Sequence, residues 1–213
     1  MQPRNRPIRR PAPMEPANHP LPPGQHAAKR WPVLHQGDVP VFDVVNWDFR
    51  VFGLVAEELH LDWAEFSRLP VIESTGDLHC VTRWSVIDTR WSGVRIAEIL
   101  ASARPLASAS FAVLHGEGGY TANVPLAALE DPAAMLATGA NGEPLSPEHG
   151  FPLRSVLPGL YAWKSVKWLR AIELIDADRP GFWESLGYSN AADPWQEQRF
   201  VEDETRTRGA DAP

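Results

Sequence analysis

Cys80 is the only cysteine of the chain, and it stands in "DLHCVTRWS" between His79 and Arg83. A solitary thiol can act as a nucleophile, a redox sensor or a metal ligand, or it can simply fill a core. Nucleophilic work needs a base within hydrogen-bond reach. His79 is adjacent, but neighbours on an extended chain point to opposite faces, which turns that imidazole away from the sulfur. His35, His60, His115 and His149 follow no triad spacing. A structural zinc site takes four protein ligands, so one thiolate is too few, and the histidines lack zinc spacing. A lone thiolate does suit a metal whose other donors arrive with an organic cofactor. The bland alternative is a packed thiol, because free cysteine is among the most buried residue types. The residue alone leaves both readings open.

A second cluster lies in "HGFPLRSVLPGLYAWKSVKW", residues 149 to 168. Its chemistry is that of an anion cradle. Arg154 offers a bidentate fork, and Lys164 and Lys167 add charge. Ser165 supplies a hydroxyl, Gly150 and Gly159 permit close backbone approach, and Pro152 and Pro158 stiffen the turns. The alternative is a solvated basic edge with tryptophans in the core. "HGEGGYTANVPL" (115–126) reads as a hairpin turn, since it has neither a dinucleotide fingerprint nor a Walker loop.

The elements that must position these residues follow from periodicity. "FDVVNWDFRVFGLV" alternates around Trp47, Phe49 and Val51 and predicts a strand ending at the Gly53 turn. "LDWAEFSRLP" (61–70) places Trp63, Phe66 and Leu69 at helical spacing with Pro70 as the stop. "GVRIAEILASA" (93–103) predicts a helix with Val94, Ala97 and Leu100 on one face, widened by Ile96 and Ile99. "SFAVLHG" and "YTANVPL" read as strands, "LAALEDPAAMLATG" as two helices broken at Pro132, and "SVKWLRAIELID" as a strand with helix as the alternative. Strands and helices do not alternate regularly, so the expectation is a single mixed α+β domain and not a doubly wound sheet.

Composition sets the outer bounds. The chain has 213 residues, 44% of them hydrophobic, and a net charge of −7. That balance argues against broad nucleic-acid binding, which needs a concentrated basic face. No apolar run reaches the length of a membrane span. One cysteine precludes an internal disulfide, which suits a reducing compartment. Arg9–Arg10 precede a proline-broken polar stretch with no apolar core of an export signal, so a cytoplasmic location is expected. Residues 1–30 are proline-rich and basic and are expected to be a disordered arm, idle or serving an acidic partner. The globular part is expected over 31–200, with 201–213 as a polar tail.

Three segments occur together and in order. "DLHCVTRWSVIDTRWSGVRIAEIL" resembles the segment around the molybdenum-ligating cysteine of the sulfite oxidase superfamily. "GEPLSPEHGFPLRSVLPGLYAWKSVKWLRAIEL" resembles its pterin-phosphate segment, and "DRPGFWESLGYSNAADPWQEQRF" is similar to the tail of its short bacterial members. The likeness runs from about Trp31 to Phe200 and implies that superfamily's molybdopterin-binding fold. By resemblance, Cys80 is the protein ligand to molybdenum, with the dithiolene of molybdopterin completing the sulfur set; a soft thiolate donor suits such a site. His149, Arg154, Ser165, Val166 and Lys167 are implied to bind the cofactor, with His115 and His35 beside it.

The run after the cysteine departs from the sulfite oxidases proper, which follow it with asparagine and paired arginines. "CVTRWS" is closer to the catalytic subunit of the periplasmic methionine sulfoxide reductase. Thr138 stands where sulfite oxidases carry an active-site tyrosine. Arg83 and Thr138 are therefore taken as the substrate side, Arg83 being alternatively a salt-bridge partner of Asp77 or Asp88. The expected function is two-electron oxygen-atom transfer on a small S- or N-oxide or oxyanion. A cofactor carrier or sensor of the same fold is the alternative. With no haem motif and no iron–sulfur spacing, electrons are expected to pass through a separate partner. Trp183 and Trp195 in the tail segment are read as packing residues, with shaping of the substrate funnel as the alternative.

Overall fold

Strand alternation decides most of the architecture. In the computed structural model, which describes residues 19–210, the elements are β1 (His26–Ala27), β2 (Asp48–Gly53), β3 (Leu59–Asp62), α1 (Trp63–Phe66), β4 (Ile72–His79), β5 (Trp84–Arg95), α2 (Ile96–Ala103), β6 (Phe111–Gly116), β7 (Thr121–Pro125), α3 (Leu126–Glu130), β8 (Met135–Ala140), β9 (Glu143–Pro144), β10 (Arg154–Val156), β11 (Leu169–Ile175) and α4 (Val201–Ala210). They form two sheets. One has the order β3-β2-β11-β6-β7. The other runs β1-β5-β8-β10, with β4 paired to β5 and β9 to β8. The chain is thus mixed helix and sheet, with sheet dominant.

The five-stranded sheet follows the expected period. Phe49 and Val51 of β2 are fully buried while Arg50 is exposed. β11 runs parallel to β2 and antiparallel to β6, and it brings Ile172 and Leu174 into the same core. Residues from both sheets and from α1, α2 and α3 share this core. A smaller cluster of Leu78, Trp91, Met135, Ala137 and Val156 holds the six-stranded sheet together.

Several expectations are corrected. α1 is a single turn: Asp62 accepts from the Glu65 amide at 2.7 Å and Glu65 reaches back at 3.0 Å, but the Ser67 hydroxyl bonds to the Trp63 carbonyl and the helix stops. α2 begins at Ile96 because residues 93–95 complete β5; its buried face is Ile96, Ile99, Leu100 and Ala103, not Ala97. The second half of "LAALEDPAAMLATG" is strand β8. It pairs with β5 on one side and β10 on the other, and Met135, Leu136 and Ala137 are all buried. A strand buried on both faces does not alternate, so its sequence mimics a buried helix.

The ends also differ from expectation. Residues 1–18 of the expected disordered arm lie outside the described residues. From His19 the chain is docked: His19 Nε2 sits 2.6 Å from Asp77, and β1 pairs in parallel with the start of β5. Residues 201–210 of the expected polar tail form α4, and its Glu204 accepts from the Ser189 hydroxyl at 2.7 Å. Residues 211–213 lie outside the described residues.

Candidate active site

Cys80 occupies the tight turn between β4 and β5. Its amide donates to the Trp84 carbonyl at 2.8 Å, and the Arg83 amide donates back to the Cys80 carbonyl at 3.0 Å. Closing so short a loop puts Arg83 at φ 75, in the left-handed region that a non-glycine residue enters only under constraint. The turn presents the sulfur to a cavity of about 300 Å³, at the low end of the range for ligand pockets. Cys80 is 8% exposed, and its Sγ lies 3.2 Å from the Thr82 hydroxyl. The packed-filler reading therefore fails on position, since the thiol is part of a cavity wall. His79 does not serve it: its Nδ1 pairs with the Ser85 hydroxyl at 2.8 Å, and burial holds the imidazole below its usual pKa and so neutral.

The other wall comes from residues 149–168. β10 carries Arg154 inward, and a 3-10 turn at Ala162–Lys164 delivers Ser165, Val166, Lys167 and Trp168. Two hydroxyls lock these stretches together: Ser165 Oγ accepts from the Leu157 amide at 2.9 Å, and Ser155 Oγ from the Val166 amide at 2.7 Å. Arg154 is 1% exposed. Its guanidinium donates to the carbonyls of His149, Ser165 and Ser155 at 3.0, 3.0 and 3.3 Å. Lys167 Nζ donates to the carbonyls of Leu34 at 2.8 Å and Glu148 at 2.6 Å.

Neither cation has a carboxylate at ion-pair distance among the described residues. The consequence is electrostatic. Burial pushes Arg154 down to about 10, and burial together with the neighbouring guanidinium pushes Lys167 down to about 7. Two desolvated positive charges facing one cavity favour an anion there. Burial also holds His149 below its usual pKa, with Lys167 and Arg154 adding repulsion. The ring of His149 stacks on Trp31 at 4.0 Å and its Nδ1 meets the Ser146 hydroxyl at 2.9 Å.

The expected site residues divide by position. Cys80, His35, Arg154, Ser165, Val166 and Lys167 line one cavity, and His149 stands directly behind its wall residues Trp31 and Arg154. His35 is at the rim, edge-on to Trp168 at 5.4 Å. His115 is not brought to the cavity. On β6 it points opposite to the buried Leu114 and pairs with Glu173 at 2.9 Å, which also takes Arg179. Thr138 lies within β8, between β5 and the β9–β10 side of the sheet, and is absent from the cavity lining. Arg83 is exposed, its guanidinium lies near Gly24, and it is absent from the cavity lining. It forms no ion pair with Asp77 or Asp88 among the described residues; Asp77 instead takes His19 and the Asp88 amide. Lys164 leaves the cradle too, being wholly buried and paired with Glu184 at 2.6 Å.

Sequence reasoning did not single out the aromatic wall. Tyr120, Trp163, Trp183 and Tyr188 line the cavity, joined by contacts of 5.0–5.3 Å between Trp183, Tyr188 and Trp163. The Tyr120 hydroxyl donates to the Trp163 carbonyl at 2.7 Å. Val81, the residue after the thiol, packs on this cluster. Trp183 thus faces the cavity, and Trp195, expected to be packed, is 48% exposed. Trp31 was missed as well, although "KRWPVL" gave an aromatic next to proline as its only signal.

A thiol, two cations lacking carboxylates, and hydroxyls on the intervening backbone form a donor set that fits a soft metal held by one sulfur plus an anionic organic group. Known proteins point the same way. A family model for the oxidoreductase molybdopterin-binding domain matches residues 36–183. The chain is 47% identical over 184 residues to the uncharacterized oxidoreductase YuiH of Bacillus subtilis strain 168, covering 86% of this chain and 93% of that one. It is 28% identical to the protein-methionine-sulfoxide reductase catalytic subunit MsrP of Gluconobacter oxydans strain 621H, over 68% of this chain and 52% of that one. Against that subunit the chain spans about half the length. The solved sulfane dehydrogenase SoxCD of Paracoccus pantotrophus superposes with a TM-score of 0.61 at 23% identity, covering 67% of this chain and 41% of that one.

Proposed function

The chain belongs to the oxidoreductase molybdopterin-binding family and is a molybdopterin-dependent oxidoreductase, and from that premise we propose two-electron oxygen-atom transfer on a small S- or N-oxide as its reaction. The observation that carries the proposal is the placing of Cys80 and the carboxylate-free pair Arg154 and Lys167 on the walls of one cavity. Cys80 would hold the metal through Sγ. Arg154, Lys167 and the Ser165 segment would bind the anionic end of the pterin, with Val166, His35 and Trp31 lining the same cavity. The bound group supplies the redox chemistry and the oxygen-atom exchange.

The chain's own residues shape what enters. An oxyanion substrate calls for convergent cations. Arg154 and Lys167 are engaged in the cradle and Arg83 is absent from the lining, while much of the remaining wall is aromatic, with Tyr120, Trp163, Trp183 and Tyr188 beside the neutral polar Gln36 and Thr82. Aromatic faces accept thioether-like and alkylammonium-like groups, and this wall offers a sulfite dianion no further cation. This favours reduction of a neutral oxide over sulfite oxidation. The net reaction is R₂SO plus two electrons and two protons giving R₂S and water, with electrons from a separate carrier.

The experiment is to express the protein in a host that makes the cofactor, then assay dimethyl sulfoxide reduction by reduced viologen beside sulfite-dependent ferricyanide reduction. The proposal expects equimolar molybdenum and a clear preference for the sulfoxide. A preference for sulfite overturns the substrate class. Equimolar molybdenum with neither activity favours the carrier or sensor reading, and absence of molybdenum overturns both.

A further inference from the structure

The turn that carries Cys80 is held from outside. The Cys80 carbonyl accepts from Gln25 Nε2 at 3.0 Å as well as from the Arg83 amide. The Val81 carbonyl accepts from Arg199 Nη1 at 2.6 Å. The Arg83 carbonyl accepts from the His26 amide at 3.0 Å, and Gln25 Oε1 takes the Ser85 hydroxyl at 3.3 Å. Gln25, His26 and Arg199 all lie outside the residues matched by the family model.

Arg199 is built into this position. It is 5% exposed, its guanidinium lies over the Tyr161 ring at 5.0 Å, and Glu197 is its ion-pair partner at 3.5 Å. Its backbone is pinned as well: the amide donates to Asp203 at the start of α4 at 3.1 Å, and the carbonyl accepts from the Ser189 amide. Burying a guanidinium is costly, and an apolar side chain of similar volume would pack there more cheaply. What the arginine adds is a charged donor on the peptide next to the thiol. A turn containing a non-glycine residue at φ 75 persists only where its surroundings over-determine it.

We propose that Arg199 and Gln25 are positioning residues for the thiol, clamping the Cys80–Arg83 turn from two segments beyond the matched domain, so that the site is complete only with both segments docked. This rests on Cys80 as the metal ligand, as proposed above.

The test reads the turn without the metal. Cofactor-free protein is treated with iodoacetamide, and mass spectrometry follows alkylation of the single thiol in wild type, Arg199→Met, Arg199→Lys and Gln25→Ala. Losing a charged donor should raise the rate about tenfold in Arg199→Met, and losing a neutral one about threefold in Gln25→Ala. Arg199→Lys, which keeps a cationic donor, should fall between wild type and Arg199→Met. In the metal-loaded protein, Gln25→Ala and Arg199→Lys should shift the electron paramagnetic resonance signal of pentavalent molybdenum at unchanged metal content. If Arg199→Met does not fold, Gln25→Ala and Arg199→Lys decide. Rates within twofold of wild type in the folded variants, with superimposable spectra, overturn the clamp. Failure of the ligand assignment is distinguishable, because it appears as metal retained with unaltered sulfur coordination in Cys80→Ser, whatever the alkylation rates.

Discussion

Replacing Glu184 with glutamine removes the negative half of a pair sealed from solvent. Lys164 Nζ lies 2.6 Å from Glu184 Oε1, with the two side chains 0% and 2% exposed. The ammonium also donates to the Asn123 backbone and side-chain oxygens at 2.7 and 3.1 Å, and Trp163 Nε1 donates to Glu184 at 2.8 Å. These bonds tie the turn that delivers Ser165–Lys167 to β7 and to the 184–186 segment. Breaking a buried pair by removing one partner costs about 3–5 kcal/mol; the amide oxygen still accepts, so Glu184→Gln should lie near the lower end, about 3 kcal/mol. For a chain of this size that is a melting-temperature drop of about 6–12 °C. The pH dependence has a definite sign. Burial already lowers the Lys164 pKa while Glu184 pulls it back up. Without Glu184 it falls further, so in the alkaline range the unfolded chain binds the proton and the native state does not. The variant's deficit must shrink as pH rises above neutral. Pairing Glu184→Gln with Lys164→Met removes the stranded charge and leaves Trp163 its acceptor, which should restore stability to within about 1 kcal/mol of wild type. Urea unfolding followed by tryptophan fluorescence at neutral and alkaline pH measures all three. A Glu184→Gln deficit below about 1 kcal/mol, or a double variant no more stable than the single, refutes the reasoning.

The cradle should show its charge directly. With Lys167 titrating near 7, sulfate binding to cofactor-free protein should be strongest below that pH and weaken by up to about tenfold per unit above it, and Lys167→Met should flatten the profile; calorimetry across pH 6 to 9 checks both. Trp31→Ala removes the ring stacked on His149 and set 5.6 Å from the Arg154 guanidinium, so cofactor should be lost during gel filtration while the fold melts only a few degrees lower. Gly93→Ala drives a Cβ into the Leu136 carbonyl oxygen at the β5–β8 register shift; expect a loss of about 3 kcal/mol or more in urea unfolding, because backbone cannot retreat as a flexible side chain would.

β2 and β11 were legible in advance because they alternate, whereas β6 and β7 carry buried runs at Ala112–Leu114 and Ala122–Val124 and were read as strands from their shortness and their flanking glycine and proline. β8 was not, since Met135, Leu136 and Ala137 are buried together and periodicity cannot separate such a run from a helix. The site was legible where its chemistry is concentrated in one segment. Arg154, Ser165, Val166 and Lys167 reach the cavity with Cys80. Position along the chain misled for His115, whose strand register turns it to Glu173, and for Arg83, whose left-handed backbone turns its guanidinium toward Gly24. Lys164 looked like its neighbour Lys167, yet a 3-10 turn sends one into the core and the other to the cavity. The aromatic wall and the contacts of Gln25 and Arg199 bring residues distant in the sequence to the Cys80 turn, and no local pattern encodes such meetings.

X-ray absorption at the molybdenum edge tests the central claim most directly, by counting sulfur neighbours in wild type and Cys80→Ser. The account predicts that the variant loses one sulfur, replaced by a lighter donor, with the cofactor's own sulfurs unchanged. An identical sulfur count in the two proteins would contradict it.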